Sequence, residues 1–436
     1  MRIISREQHN ISRKNISSAA LKVLYRLRDE GFAAFLVGGA VRDLQLGGNP
    51  KDFDVATDAT PEDVRRLFRN CRLIGRRFRL AHVVFGREII EVATFRGPGD
   101  EAGEGAESGR EIVDGRILRD NVWGTIEEDA LRRDFRVNAL YYDIADFSIR
   151  DYVGGMEDLA DRVLHLIGDA SQRYREDPVR MLRAVRLAAK LDFTIGDDAA
   201  QPIADLGALV AAAPPARLFD ESLKMFLAGH GLSSLRLLRR YDLLRYLFPA
   251  TERALKQDAD GAYASLLEGG LASTDARVNE GKSTTPAFLF ALLLWGDVRR
   301  RASRSIEDGV DVALAWQRAS DKVIVEQTAA VAIPRRFLYA MEEIWALQLR
   351  FHDIGHRKRV SRLLAHPRFR AAYDFLMLRA GESPAIAELG AWWTRAQDLP
   401  QESLHAELVA QGTGEGLPPA RRKRRRRRKP GSGSNA

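Results

Sequence analysis

Apolar positions change their spacing twice along this chain, and each change marks a change of architecture. Between Ser18 and Asp29, Leu21, Leu24 and Tyr25 recur at helical intervals with Ala20 and Leu27 beside them, which predicts an amphipathic helix. Short apolar runs at 33–37, 51–57, 71–74, 82–85 and 89–95 are bounded by turn residues and read as strands. Two helices lie between them. One spans 41–46 and breaks at Gly47-Gly48-Asn49-Pro50. The other opens at Thr60-Pro61-Glu62-Asp63, with an N-cap, a proline at the first helical position and acids in the first turn, and runs to about residue 70. Residues 97–114 are rich in Gly, Glu and Asp and predict a surface loop. A helical pattern over 125–133 and a strand-like run over 135–143 follow.

After Gly168 the strand signals thin out. Helical segments are expected over 177–190, 200–212, 217–229 and 232–246, with breaks at Pro214-Pro215 and Pro249. From 285 to 395 the chain stays helical, punctuated by Pro334, Pro367 and Pro384. The pattern therefore predicts an N-terminal arm over 1–20, an α+β head over 21–165, a helical neck over 166–250 and a helical body over 251–410. The composition of 411–436 predicts a disordered basic tail.

Composition narrows the class. With 436 residues, 45% of them hydrophobic, the chain can bury several cores. It has no apolar run long enough for a membrane span, and its first residues lack the apolar core of a secretory signal. The single cysteine, Cys71, excludes an internal disulfide and reads as a small hydrophobe in a reducing compartment, so the cytoplasm is expected. The net charge of +8 is concentrated rather than spread: all nine residues from 421 to 429 are basic. Residues 331–380 carry ten Lys and Arg against four Asp and Glu. Two such regions suit a polyanion; the plainer alternative is a solvated surface with a solubilising tail.

Candidate chemistry centres on residues 36–43, Leu-Val-Gly-Gly-Ala-Val-Arg-Asp, and on Asp52 and Asp54 just beyond. Gly38 and Gly39 let backbone N–H groups approach a phosphate with no Cβ in the way, and Arg42 can add a charged contact. On a strand Asp52 and Asp54 point to one side while Phe53 enters the core. Two such carboxylates repel unless a cation lies between them, and hard oxygens on a rigid strand suit Mg²⁺. Glu91, flanked by Ile90 and Val92, falls on the opposite face from those two and is favoured as a third catalytic ligand; Asp134 is the alternative.

These strings, with residues 132–138 and 176–183, resemble the nucleotidyltransferase superfamily, specifically the bacterial poly(A) polymerase and tRNA CCA-adding group. The resemblance is ordered along the chain and covers roughly residues 1–250. It implies a polymerase-beta-like head followed by an all-α neck, body and tail. It also implies Asp52 and Asp54 as metal ligands, and Gly39, Arg42 and Arg133 as contacts to nucleotide phosphate or sugar. Asp177 and Arg180 would read the base, with Arg183 one turn further along the same helix face. Read as residues alone, that helix is simply capped by Asp177 and carries surface arginines. Residues 73–83, 6–14 and 363–373 are similar to the poly(A) polymerase branch rather than the CCA-adding one.

The implied reaction is template-independent addition of AMP from ATP to RNA 3′ ends with release of pyrophosphate, by two-metal catalysis, in mRNA polyadenylation and RNA decay. CCA addition to tRNA is the alternative. The implied partners are mRNAs, decay intermediates and small RNAs, with a monomeric enzyme that RNA-decay proteins can meet. His352-Asp353 imitates the signature of metal phosphohydrolases, but Arg350, Arg357 and Arg359 surround it with positive charge and oppose a dication. It is expected to be part of an Arg-rich RNA-binding surface whose aromatics are mostly core.

Overall fold

The computed structural model describes residues 1–75, 79–97, 110–113, 116–120, 122–354 and 357–399; the basic tail and most of the 97–114 segment lie outside them. The described chain forms two compact units. The first comprises Met1–Gln257, Leu271–Pro286 and Asp321–Ile333. The second comprises Asp258–Gly270, Ala287–Ser320 and the chain from Pro334 on. The stretch 251–410, continuous by its helical pattern, is thus divided between the two.

An eight-stranded sheet organises the first unit. Its strands are β1 (Arg2–Ile4), β2 (Ala34–Val37), β3 (Asp54–Thr57), β4 (Cys71–Ile74), β5 (Leu80–Phe85), β6 (Glu88–Thr94), β9 (Leu140–Asp143) and β10 (Ile149–Asp151). A separate hairpin supplies β7 (Arg110–Val113) and β8 (Arg116–Asp120). That hairpin is a departure from the loop expected there: its two strands pair antiparallel with each other. The order is β1-β10-β9-β2-β3-β6-β5-β4, and only β3 and β6 run parallel. The N-terminal arm contributes an edge strand, beyond the packing expected of it.

Helix α1 (Ser18–Asp29) begins where the pattern places it, because the Ser17 hydroxyl accepts from the Ala20 N–H at 3.0 Å. It buries Ala19, Ala20, Val23, Leu24 and Leu27 and packs across β2, β3 and β6. Helix α2 (Gly39–Gln45) leaves β2 through Gly38 at φ +72°, a left-handed backbone that costs an L-residue about 1–2 kcal/mol. Helix α3 (Pro61–Leu67) has the expected capping box, with Thr60 and Asp63 each accepting the other's backbone N–H. Helix α4 (Ile126–Arg132) has a second, between Thr125 and Glu128.

Past the short α5 (Gly155–Asp161), α6 (Ala170–Glu176) and α7 (Val179–Leu191) form the start of the helical region. The segment expected as one helix over 200–212 is α-helical only to Leu206 and then tightens into a 3-10 turn over Gly207–Ala212. The second unit is all helical among its described residues. Trp295 stacks on Trp316 at 4.9 Å, and Phe351, Phe369, Tyr373 and Trp393 build a second aromatic core. Aromatics of the Arg-rich segment are therefore mostly interior, as expected, while Tyr339 stands 65% exposed.

Candidate active site

Strand register lines up one polar row across the sheet. Tyr141 on β9 pairs with Val37, Val37 with Asp54, Asp54 with Glu91, and Glu91 with His82 on β5. Cross-strand partners share a face, so Tyr141, Asp54, Glu91 and His82 look the same way. Ile90 and Val92, on the other face, are 0% and 2% exposed, which leaves Glu91 on the open side. Asp54 is the first residue of β3; Asp52 precedes the strand instead of sharing it, and Phe53 is buried between them. The reason is local: β2 ends at Val37 and turns away through Gly38, so no ladder partner remains for Asp52.

The carboxylates stand in each other's field. Desolvation, and then repulsion from Glu91, push the Asp54 carboxyl up to about 6, although its side chain still reaches solvent; Asp52 adds to the rise and Arg133 and His82 oppose it. His82 Nε2 lies 3.4 Å from Glu91 Oε2. A bound cation would relieve this like-charge crowding. Among the described residues no three metal-type side chains already converge on one point. Asp54 and Glu91 across the single parallel pair, with Asp52 at the margin, instead form an open oxygen edge. That donor set fits Mg²⁺, which keeps water and phosphate oxygens as its remaining ligands.

Beside this edge sits the glycine turn. A Cβ on Gly38 would come 3.5 Å from Arg133 Nη1, which puts the turn and that guanidinium together. Arg133 is held in place: its Nε donates to the Tyr141 hydroxyl at 2.9 Å and its Nη2 to Asp129 at 3.1 Å. Tyr141 in turn donates to Asp129 at 2.6 Å. Arg42, expected as a phosphate contact, has protein partners here. Its side chain is 5% exposed and is engaged by Asp43 at 2.6 Å and by the Asn138 side chain. It braces the turn from within. Asp43 also takes Lys190 Nζ at 2.8 Å, which ties the turn to α7.

The neck residues gather around Asp134. Arg180 Nε donates to Asp134 at 2.9 Å, Arg183 lies 2.6 Å from its other oxygen, and Arg173 stands at 3.9 Å. Asp134 therefore serves as anchor of the neck arginines rather than as a third carboxylate beside Asp54. Of the two candidates for a third carboxylate, Glu91 is the one placed opposite Asp54, while Asp134 stands among guanidinium groups whose charge opposes a dication. Arg173 also donates to the carbonyls of Arg132 and Arg133. Arg180 and Arg183 share one helix face, as their spacing implies. Asp177 accepts from the Val179 N–H at 3.3 Å and from Arg217 at 2.9 Å. It is not paired with Arg180.

Sequence reasoning missed Asp129, Tyr141, His82, Arg173 and Arg217. Asp129 and Arg133 could have been found as an i,i+4 pair at the end of a helix. Tyr141 and His82 needed the strand register. Asp353 of the His352-Asp353 pair is engaged by Arg359 at 2.6 Å.

Residues 34–165 match the family model described as "Poly A polymerase head domain". Residues 192–255 match "Probable RNA and SrmB- binding site of polymerase A", and 308–429 match "Polymerase A arginine-rich C-terminus". The chain is 51% identical over 404 residues to Poly(A) polymerase I of Salmonella typhi, which spans 91% of this chain and 86% of that one. It is 45% identical over 402 residues to Poly(A) polymerase I of Haemophilus influenzae, over 91% and 88% of the two chains. A CCA-adding enzyme of Staphylococcus aureus is 35% identical over 185 residues, only 42% of this chain. The fold is shared with the Bacillus stearothermophilus CCA-adding enzyme in complex with CTP, at TM-score 0.56 and 25% identity over 90% of this chain and 81% of that one. With half its residues identical over nearly its whole length, the chain belongs to the poly(A) polymerase I family of class II nucleotidyltransferases.

Proposed function

We propose that this chain extends RNA 3′ ends with AMP from ATP, without a template, releasing pyrophosphate. The observation that carries this reading is the 51% identity to Poly(A) polymerase I over 91% of the chain. Asp54 and Glu91, with Asp52, would hold Mg²⁺. When bound, it supplies Lewis-acid activation of the RNA 3′-hydroxyl and charge neutralisation on the leaving pyrophosphate. The protein's own residues position the reactants. The Gly38 turn lets the triphosphate approach the backbone, and Arg133, fixed by Asp129 and Tyr141, presents its charge there. Asp134 holds Arg180 and Arg183 on one face of α7, where they can meet the incoming nucleotide; Asp177, with Arg217, lies at the start of the same helix. The Arg-rich second unit and the basic tail would track RNA backbone without reading sequence. The working compartment is the cytoplasm and the working form a monomer met by RNA-decay proteins. The candidate substrates are mRNAs, decay intermediates and small RNAs.

A second reading, CCA addition, is favoured by one observation: the solved relatives of the same fold include CCA-adding enzymes. A single assay separates the two. The protein is given a generic RNA with Mg²⁺ and either ATP or CTP alone. Long A tails with ATP and little incorporation from CTP are the expected result. Completion of CCA on truncated tRNA, with no A tails, would overturn the proposal.

A further inference from the structure

The face of the sheet opposite the carboxylates carries a cavity of about 450 Å³ that no step above uses. Tyr142 follows Tyr141 on β9 and so points to the other side of the sheet. The N-terminal arm and α1 cover that side, and Arg6, Ser12, Arg13, Lys14, Tyr25 and Tyr142 line the space between them. Three of these are cations, and none of the lining residues is acidic. The contrast with the rest of this unit is sharp. Arg173, Arg180 and Arg183 converge on Asp134, and Arg42 has Asp43. Here Arg6 donates only to the His9 carbonyl at 3.1 Å, and Arg13 donates to the Tyr25 hydroxyl at 2.8 Å while lying 4.7 Å over the Phe147 ring. Lys14 has no side-chain partner among the described residues.

A second observation points the same way. Tyr142, 1% exposed over the whole residue, lines this cavity, and its hydroxyl makes no hydrogen bond to the protein among the described residues. That hydroxyl, beside three cations without a carboxylate, makes the recess rich in donors. Guanidinium, ammonium and hydroxyl groups together match the oxygens of a phosphate.

We propose that this cavity binds a phosphate group, on the opposite face of the sheet from the reaction centre. The phosphate is borne either by an RNA strand or by a free anion such as pyrophosphate. The RNA source rests on the function proposed above; the free source does not. Binding is therefore read without catalysis, on the full chain in EDTA, so that failure of one reading does not imply failure of the other. Pyrophosphate is followed by calorimetry and a fluorescent oligoadenylate by anisotropy. Lys14→Glu, whose native side chain has no partner to lose, should weaken pyrophosphate binding about tenfold, as expected for loss of one charge-assisted contact. If RNA is the source, Lys14→Glu also weakens oligoadenylate and reduces its salt slope by about one. If the source is free anion, oligoadenylate binding stays as it was while pyrophosphate binding falls. A second variant, Arg6→Gln with Lys14→Ala, guards against an effect peculiar to the introduced acid. Unchanged binding of both ligands in both variants would overturn the proposal, as would tighter binding of hexaglutamate than of either phosphate ligand.

Discussion

Asp54 and Asp134 are both carboxylates of the first unit, and their surroundings are opposite. Asp54 faces Glu91 across a strand pair with Asp52 nearby, and its carboxyl is pushed up to about 6. Asp134, 12% exposed, is enclosed by Arg173, Arg180 and Arg183. At one site negative charge is in excess, and at the other positive charge is. The comparison shows that the residue type does not assign the role: the crowded acid is suited to receive a cation, and the enclosed one to orient cations that receive an anion.

Substitution at each site should break the comparison in a different way. Asp54→Ala should lower AMP addition by at least about 10³-fold, as removal of a group that stabilises transition-state charge does, and leave RNA affinity nearly intact. An equal loss of RNA binding in an anisotropy titration would contradict the metal-ligand role. Asp134→Asn keeps the shape but removes the charge that Arg180 and Arg183 share, while Arg173 and Arg180 keep Glu176. Breaking a largely buried ion cluster costs about 3 kcal/mol, so the melting temperature should fall by several degrees. KM for ATP should rise about tenfold with the Mg²⁺ dependence unchanged; a shifted Mg²⁺ dependence would place Asp134 with the metal after all. Tyr141→Phe removes one hydroxyl from the Asp129–Arg133 brace, worth about 1 kcal/mol, and kcat/KM should fall about fivefold.

The smallest effect concerns pH. The folded Asp54 carboxyl titrates near 6, above its ordinary 3.8, so the folded form holds a proton that the unfolded chain has lost between those values. Metal-free stability should therefore fall as pH rises through this window. Asp54→Asn should melt about 1–2 °C higher than the native protein at pH 7.5 and no higher at pH 4, a modest figure because solvent screens the group. Scanning calorimetry in EDTA decides it; a gain at pH 4 equal to that at pH 7.5 would show that the charge is not responsible.

Much of this arrangement was legible beforehand. The limits of α1 follow from the Ser17 cap and the spacing of its apolar residues. The side taken by Glu91 follows from Ile90 and Val92 on either flank. What could not be read was pairing over distance. Asp134 and Arg180 meet across 46 positions of the chain, and nothing local to Asp134 distinguishes an anchor from a metal ligand. The contact of Arg42 with Asn138 spans 96 positions, and nothing local to Arg42 announces it. The early end of pairing at Asp54 depends on where β2 turns away, which the apolar run over 51–57 does not encode. The hairpin of β7 and β8 escaped notice because strand signals were sought in apolar alternation.

Within the eight-stranded sheet, the parallel pairing of β3 with β6 also constrains the chain between them. Antiparallel neighbours can be joined by a tight turn, but β3 can reach β6 only by an excursion, here α3 and the β4–β5 hairpin. The register of β3 with β6 must be kept, because a slip by one residue would send Glu91 to the wrong face. The excursion between them must therefore return the chain in one register, and the reaction centre depends on a pairing that no residue near Asp54 in the sequence supplies.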